Sequence, residues 1–252
     1  MFKYFDINVS GYSIRSKLYA KDPKDVRRAV IFCHGFGGHK DNRACERFAA
    51  KILSKNKGYA VIAFDWPCHG EDARKKLSLS ECDFYLSSVI EHVNAQFHPE
   101  ALFALGTSFG GYLLLKYIKE HQSPFKKIAL RCPAVNMYDS LTHVILTEEN
   151  KALLSKGKPI LAGFDRKVQI DREFLDELKA CDIRNDDFMD FADDILILHG
   201  TKDEIVAYSE VSAFAENNLI DLITSENADH RYTDPKLMDS AIHDIIEFYE
   251  MA

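Results

Sequence analysis

Ser108, Asp203 and His230 lie far apart in this chain, and each stands in a setting suited to nucleophilic chemistry. Ser108 sits in Gly106-Thr107-Ser108-Phe109-Gly110, directly after the apolar run Leu102-Phe103-Ala104-Leu105 and just before the helix-forming stretch Tyr112 to Ile118. A strand that runs into a helix without a loop must turn sharply, and the serine at the apex then holds its hydroxyl above the sheet. Glycines on both sides remove Cβ atoms that would strike the neighbouring strand or helix. The N–H groups opening the helix face the same spot and favour a developing negative charge.

A serine hydroxyl needs a base within hydrogen-bond reach, and the base needs an acid to fix its tautomer. His230, in Asn227-Ala228-Asp229-His230-Arg231-Tyr232, reads as the base in a loop between the last strand and the terminal helix. Asp203, in Leu198-His199-Gly200-Thr201-Lys202-Asp203-Glu204, reads as the acid in a loop just past a buried strand, with Glu204 as its neighbouring alternative. Asp65 also ends a strand, but it precedes the serine, which is the wrong chain order for this arrangement. His34 and His199 each end a strand before a glycine and read as packing and hydrogen-bonding residues. The tetrahedral intermediate of acyl transfer carries an oxyanion that backbone N–H groups must meet. One should come from Phe109 and the other from Phe36, in the glycine-rich turn His34-Gly35-Phe36-Gly37-Gly38.

Other elements must position these groups. Lys3 to Val9 and Tyr12 to Tyr19 alternate about Ser10-Gly11 as an antiparallel hairpin. Ala29 to Cys33, Tyr59 to Phe64, the run before Ser108, Lys127 to Cys132, Ile195 to Leu198 and Asp221 to Thr224 read as strands, the most apolar of them buried on both faces. Helices are expected at Asn42 to Asn56, at Ser80 to Phe97 with Ser80 as N-cap, after Ser108 to about His121, at Tyr208 to Asn217 and at Pro235 to Tyr249. This alternation predicts an α/β fold, a mainly parallel sheet with helices on both faces. The rhythm breaks between Pro133 and Asp193, where helices at Ser140 to Asn150 and Arg172 to Cys181 flank the extended piece Lys167 to Ile170. An interval that long inside a domain is usually functional. It reads as a small cap inserted over the strand ends (133–193) in a core domain made of 1–132 and 194–252.

Composition excludes several classes. Of 252 residues, 46% are hydrophobic and 28% charged, which is ordinary for a globular protein. A net charge of −7 and the lack of a Lys/Arg run argue against a nucleic-acid partner. No apolar run reaches the ~18 residues of a membrane span, and the first residues lack the apolar core of a signal peptide. The six scattered cysteines then read as reduced thiols of a cytoplasmic protein. Cys33, His34, Cys68 and His69 do not have the spacing of a closed zinc site, so neither metal nor cofactor is expected.

Together the HGF turn, Asp65 through Gly70, the Gly106 to Gly110 elbow, His199 through Val206 and Ala228-Asp229-His230 resemble the α/β-hydrolase fold from about residue 28 onward. Within that superfamily the chain is similar to small bacterial serine esterases of the cinnamoyl/feruloyl type. The family's Gly-His-Gly turn is here Cys68-His69-Gly70, and Thr107 stands where its elbow carries His. The resemblance implies a serine carboxylesterase with Ser108, Asp203 and His230 as triad, Phe36 and Phe109 as oxyanion donors, and a small-molecule ester as substrate. The cap's Leu141, Ile145 and Phe164 are expected to line an acyl or aryl pocket. A homodimer is compatible with the sequence. Fold and triad do not choose the leaving group. A peptidase or acyltransferase is thus an alternative, with Glu148, Glu149 or Asp165 available to hold a peptide amine, and so is a non-catalytic ligand-binding protein.

Overall fold

Apolar runs and amphipathic stretches alternate from Arg28 onward, and the chain pairs them as that rhythm requires. The computed structural model describes residues 1–72, 76–163 and 167–252. Strands β1 (Phe2–Val9) and β2 (Tyr12–Ala20) form the expected antiparallel hairpin. There follow β3 (Arg28–Cys33), α1 (Arg43–Lys55), β4 (Tyr59–Phe64), α2 (Leu79–Phe97), β5 (Ala101–Thr107), α3 (Phe109–Glu120) and β6 (Lys127–Arg131). After the interrupted interval come β9 (Ile195–Gly200), α7 (Tyr208–Asn217), β10 (Asp221–Ser225) and α8 (Pro235–Glu250). The sheet order is β1-β2-β4-β3-β5-β6-β9-β10, parallel from β4 to β10 with β1 and β2 antiparallel at one edge.

Alternate residues of each strand feed opposite cores, as the two-residue period of a strand demands. Val30, Phe32, Val61, Ala63, Phe103, Leu105 and Leu198 face α1 and α8, with Phe48, Ile52, Ile242 and Ile245 packed on them. Ala29, Ile31, Ile62, Phe64, Ala104 and Ile197 face α2, α3 and α7 on the other side. Burial of both faces explains why these strands are apolar throughout. Asn42 caps α1 by accepting from the N–H groups of Ala44 and Cys45. The cap of α2 is Ser78 rather than Ser80: its side chain accepts from the Glu81 N–H three residues on, which leaves Ser80 inside the first turn.

Between β6 and β9 lie α4 (Met137–Asp139), α5 (Glu148–Ser155), β7 (Ile160–Ala162), β8 (Val168–Ile170) and α6 (Arg172–Ala180), with β7 and β8 paired antiparallel. The single helix expected from Ser140 to Asn150 is divided. A π-helical turn runs from Ser140 to Ile145, Leu146 is extended, and a new helix starts after Thr147. Thr147 and Asn150 form a reciprocal capping box, which satisfies a fresh helix start better than continuation would. The interval packs down on the sheet domain, since Leu154, Ile160, Val168, Ile170, Phe174 and Leu178 join the same apolar cluster as α2 and α3. No helix among the described residues is long and apolar enough to cross a membrane. All six cysteines are free thiols.

Candidate active site

Ser108 occupies the junction of β5 and α3 with φ +51° and ψ −117°, a left-handed conformation that a residue with a side chain rarely adopts. Packing enforces it. A Cβ on Gly110 would come within 2.1 Å of the Cys33 carbonyl oxygen, and one on Gly106 within 2.8 Å of Gly111 Cα. The Ser108 N–H donates to the Arg131 carbonyl, and its own carbonyl accepts from Gly111, Tyr112 and Ala134. The elbow is therefore tied at once to β6, to α3 and to the start of the 133–193 interval. Phe109 is the first residue of α3, where an N–H has no acceptor within the helix.

The turn after β3 comes close beside it. A Cβ on Gly35 would lie 3.2 Å from Ser108 Cβ and 3.8 Å from Ser108 Oγ. Gly37 takes φ +73°, and the Gly38 N–H closes the turn onto the Gly35 carbonyl at 2.9 Å. Buried polar contacts hold the turn in place. The Trp66 N–H donates to His34 Nε2 at 3.3 Å, so Nδ1 carries the hydrogen and donates to the Gly35 carbonyl at 2.9 Å. Trp66 Nε1 donates to the His34 carbonyl at 3.0 Å.

Asp65 fastens both loops. Its fully buried carboxylate accepts from the Lys40 N–H (2.7 Å), Lys40 Nζ (3.1 Å) and the Glu71 N–H (2.9 Å). The sequence presented Asp65 as a rival acid and gave Lys40 no role; the structure pairs them. His69 lies beneath, stacked on Phe109 at 6.2 Å and edge-on to Phe36 at 5.6 Å. Burial pushes its imidazole down to about 4, so it stays neutral.

Asp203 and His230 meet as their spacing suggested. His230 Nδ1 donates to Asp203 Oδ2 at 2.7 Å, leaving Nε2 without a hydrogen and free to accept one. The Asp203 side chain is fully buried and that of His230 is 13% exposed. Asp203 Oδ1 accepts from the N–H groups of Ile205 (2.9 Å) and Val206 (2.8 Å). Burial alone would raise the carboxyl, but hydrogen bonds from His199, His230 and the Val206 N–H outweigh it and hold it well below the usual carboxylate range. Glu204 is exposed, and its carboxylate accepts from the backbone N–H of His230 at 3.3 Å. A Cβ on Gly200 would strike the Ala228 carbonyl at 2.2 Å, so this glycine is what lets the loops bearing Asp203 and His230 approach.

One partner of the acid was not anticipated. His199 is fully buried, and its Nε2 lies 3.2 Å from Asp203 Oδ2 and 3.0 Å from the Val206 carbonyl. Both neighbours accept, so Nε2 carries the hydrogen. Nδ1 has no partner among the described residues.

The expected pocket residues fare unequally. Leu141 is fully buried within the main apolar cluster, where it serves as core. Ile145 is half-buried against that cluster. Phe164 and Asp165 lie outside the described residues. Phe174 of α6, unmarked in the sequence reading, sets its ring edge on Phe109 at 6.3 Å. Tyr112 Oη also donates to the Cys181 carbonyl, so α6 and its following turn rest on the elbow helix.

Comparison with known proteins agrees with this fold. The family described as serine aminopeptidase, S33, matches residues 24–175, about three-fifths of the chain, including the HGF turn and the elbow and ending before Asp203. Among curated proteins none matches in sequence. A solved structure of a putative hydrolase from Agrobacterium vitis S4 is 20% identical with a TM-score of 0.76, covering 98% of each chain. Est1E from Butyrivibrio proteoclasticus, solved with ferulic acid bound, is 19% identical with a TM-score of 0.76, covering 98% of this chain and 99% of its own. A monoacylglycerol lipase from Paleococcus ferrophilus is 19% identical with a TM-score of 0.67, covering 93% and 97%. At these identities the likeness is one of fold, the α/β-hydrolase fold.

Proposed function

The chain belongs to the serine aminopeptidase S33 family of α/β-hydrolases, and from that premise we propose that it is a serine hydrolase cleaving carboxylic esters through an acyl-enzyme intermediate. The observation that carries the reading is the 2.7 Å contact of His230 Nδ1 with the buried carboxylate of Asp203, on the sheet edge that also bears the strained Ser108. In this reading Nε2 of His230 takes the Ser108 proton as Oγ attacks the ester carbonyl. Asp203 holds the tautomer and stabilises the imidazolium without itself becoming protonated. The oxyanion is met by the N–H groups of Phe36 and Phe109. The imidazolium then protonates the leaving alcohol. A water molecule, deprotonated by the same nitrogen, releases the acid.

Esters are preferred over peptides as substrates because similar folds include Est1E with ferulic acid bound and a monoacylglycerol lipase. Residues 133–193 act as a cap that selects the acyl group, with half-buried Ile145 the candidate for contact. Peptide cleavage is the second reading, favoured by the family's own description. A fluorophosphonate that labels the wild type and not Ser108→Ala, together with turnover of p-nitrophenyl acetate, tests the hydrolase reading. A panel of acyl esters and aminoacyl amides decides between leaving groups. Absence of labelling at Ser108 would refute the serine mechanism.

A further inference from the structure

Cys132 closes another side of the Asp203 carboxylate. It follows β6 with its backbone in the left-handed region (φ +48°) and is 1% exposed. Its Sγ, a carboxylate oxygen of Asp203 and a ring nitrogen of His230 all lie within 4.8 Å of one another. Thiolate, carboxylate and imidazole are the donors zinc takes in proteins, and donors around one tetrahedral zinc stand about 3.5 Å apart. The three residues follow β6, β9 and β10, neighbours in the sheet, so side-chain shifts of about an ångström would complete the set without moving the backbone.

We infer that Cys132, Asp203 and His230 form an inhibitory site for a thiophilic divalent cation of the zinc type. The inhibition rests on the reading of His230 as base; the binding does not. The ion takes lone pairs from Cys132 Sγ, Asp203 Oδ2 and His230 Nδ1, and nothing is oxidised. One proton leaves, from the thiol, while the Nδ1 hydrogen moves to Nε2, because the ion takes a neutral imidazole. Moving that hydrogen removes the bond by which Asp203 orients the imidazole and leaves Nε2 protonated, with no lone pair to take the Ser108 proton. The partly exposed edge of His230 gives the cation its route in. The thiol must give up its proton to bind the ion, so affinity rises with pH.

The test uses zinc chloride on the whole protein carrying His121→Gln, which removes a second, more exposed donor set of Asp83, Glu120 and His121. On the Ser108→Ala background, equilibrium dialysis should find one bound zinc, with about one proton released per ion. Cys132→Ser and Cys132→Ala should each weaken binding by more than about tenfold. With Ser108 intact, zinc should suppress ester turnover reversibly, a chelator should restore it, and each Cys132 variant, scaled to its own zinc-free rate, should need over about tenfold more zinc. Equal zinc binding with and without Cys132, or binding without proton release, would overturn the site. Binding is read where no turnover is needed, so a protein that binds zinc this way but hydrolyses no ester refutes only the hydrolase reading.

Discussion

Nε2 of His199 lies 3.2 Å from Oδ2 of Asp203, the same oxygen that His230 meets at 2.7 Å. The carboxylate thus has an imidazole on either side, one fully buried and one at the surface of the site. The buried ring donates into Oδ2, while the loop N–H groups of Ile205 and Val206 hold Oδ1. In the proposed mechanism His199 is a positioning residue: it fixes Asp203, which in turn fixes His230.

Removing that donor leaves a buried carboxylate short of one hydrogen bond, worth about 1–3 kcal/mol. His199→Leu should therefore lower kcat about tenfold or more with KM little changed, and His199→Gln, which keeps a donor, should recover part of the loss. Steady-state kinetics on both variants checks this. A KM effect with kcat intact would detach His199 from the acid.

Ser108→Ala should fold as the wild type does, because the side chain is half-exposed and stores backbone strain rather than packing. Its kcat/KM should fall by at least about 10³, leaving the residual catalysis of the oxyanion donors and binding. Thermal unfolding and ester hydrolysis on the same preparation separate lost chemistry from lost fold.

The acid pair gives a sharper contrast. Asp203→Asn should cut kcat by about 10⁴ by stabilising the wrong tautomer of His230. Glu204→Gln should do little, since Glu204 is exposed and it is Asp203 that meets the imidazole. Asp203 also ties stability to pH. Its folded-state pKa is depressed, so its contribution is fully present above the unfolded value of about 3.9 and is lost as pH falls from there toward the folded value. The gap in unfolding free energy between wild type and Asp203→Asn should be constant near neutrality and narrow below about pH 4. A gap that widens toward acid would contradict the depressed carboxyl.

Much of this site was legible in the sequence because turn chemistry constrains it. Gly106 and Gly110 reveal the elbow, since no Cβ fits there, and the order of Ser108, Asp203 and His230 follows from three strand ends on one sheet edge. Helix α7 was read to its exact bounds from its apolar period and flanking turns. Side-chain partnerships across loops were not legible. His199 before Gly200 reads as any histidine at a strand end, and Lys40 reads as a surface charge until Asp65 is found buried beside it. Leu141, Val144 and Ile145 carry helical apolar spacing up to Leu146, and the polar Thr147 to Asn150 that follow read as its continuation, so the capping box was masked.

Gly110→Ala tests whether the elbow depends on close backbone approach. The added Cβ would sit 2.1 Å from the Cys33 carbonyl oxygen, and backbone cannot yield as a flexible side chain can. Overpacking of this kind costs about 1–3 kcal/mol or more, and the strain falls on β3, which leads into the oxyanion turn. Both unfolding midpoint and kcat should drop together. Gly157→Ala is the control for space: nothing lies within 4 Å of a Cβ there, although its φ of +70° brings a small conformational cost.

The cap supplies the last prediction, and burial decides its form. Leu141 is fully buried, so Leu141→Ala removes core contacts and should cost about 2–5 kcal/mol of stability. Selectivity among esters should then change little so long as the variant is folded. Ile145 is half-buried on the same turn and faces both cluster and solvent. If it borders the acyl group, Ile145→Ala should shift the ratio of kcat/KM between short and bulky esters by about 10–200-fold, while turnover of an acetate ester stays near wild type. Phe174 differs from both, because its ring edge rests on Phe109, next to the nucleophile. Truncating it should loosen the Phe109 ring and lower turnover of every ester alike, along with stability. Parallel rates for an acetate, a butyrate and an aryl ester in the three variants distinguish the roles. A uniform loss in Ile145→Ala would assign that residue to site assembly instead of substrate choice.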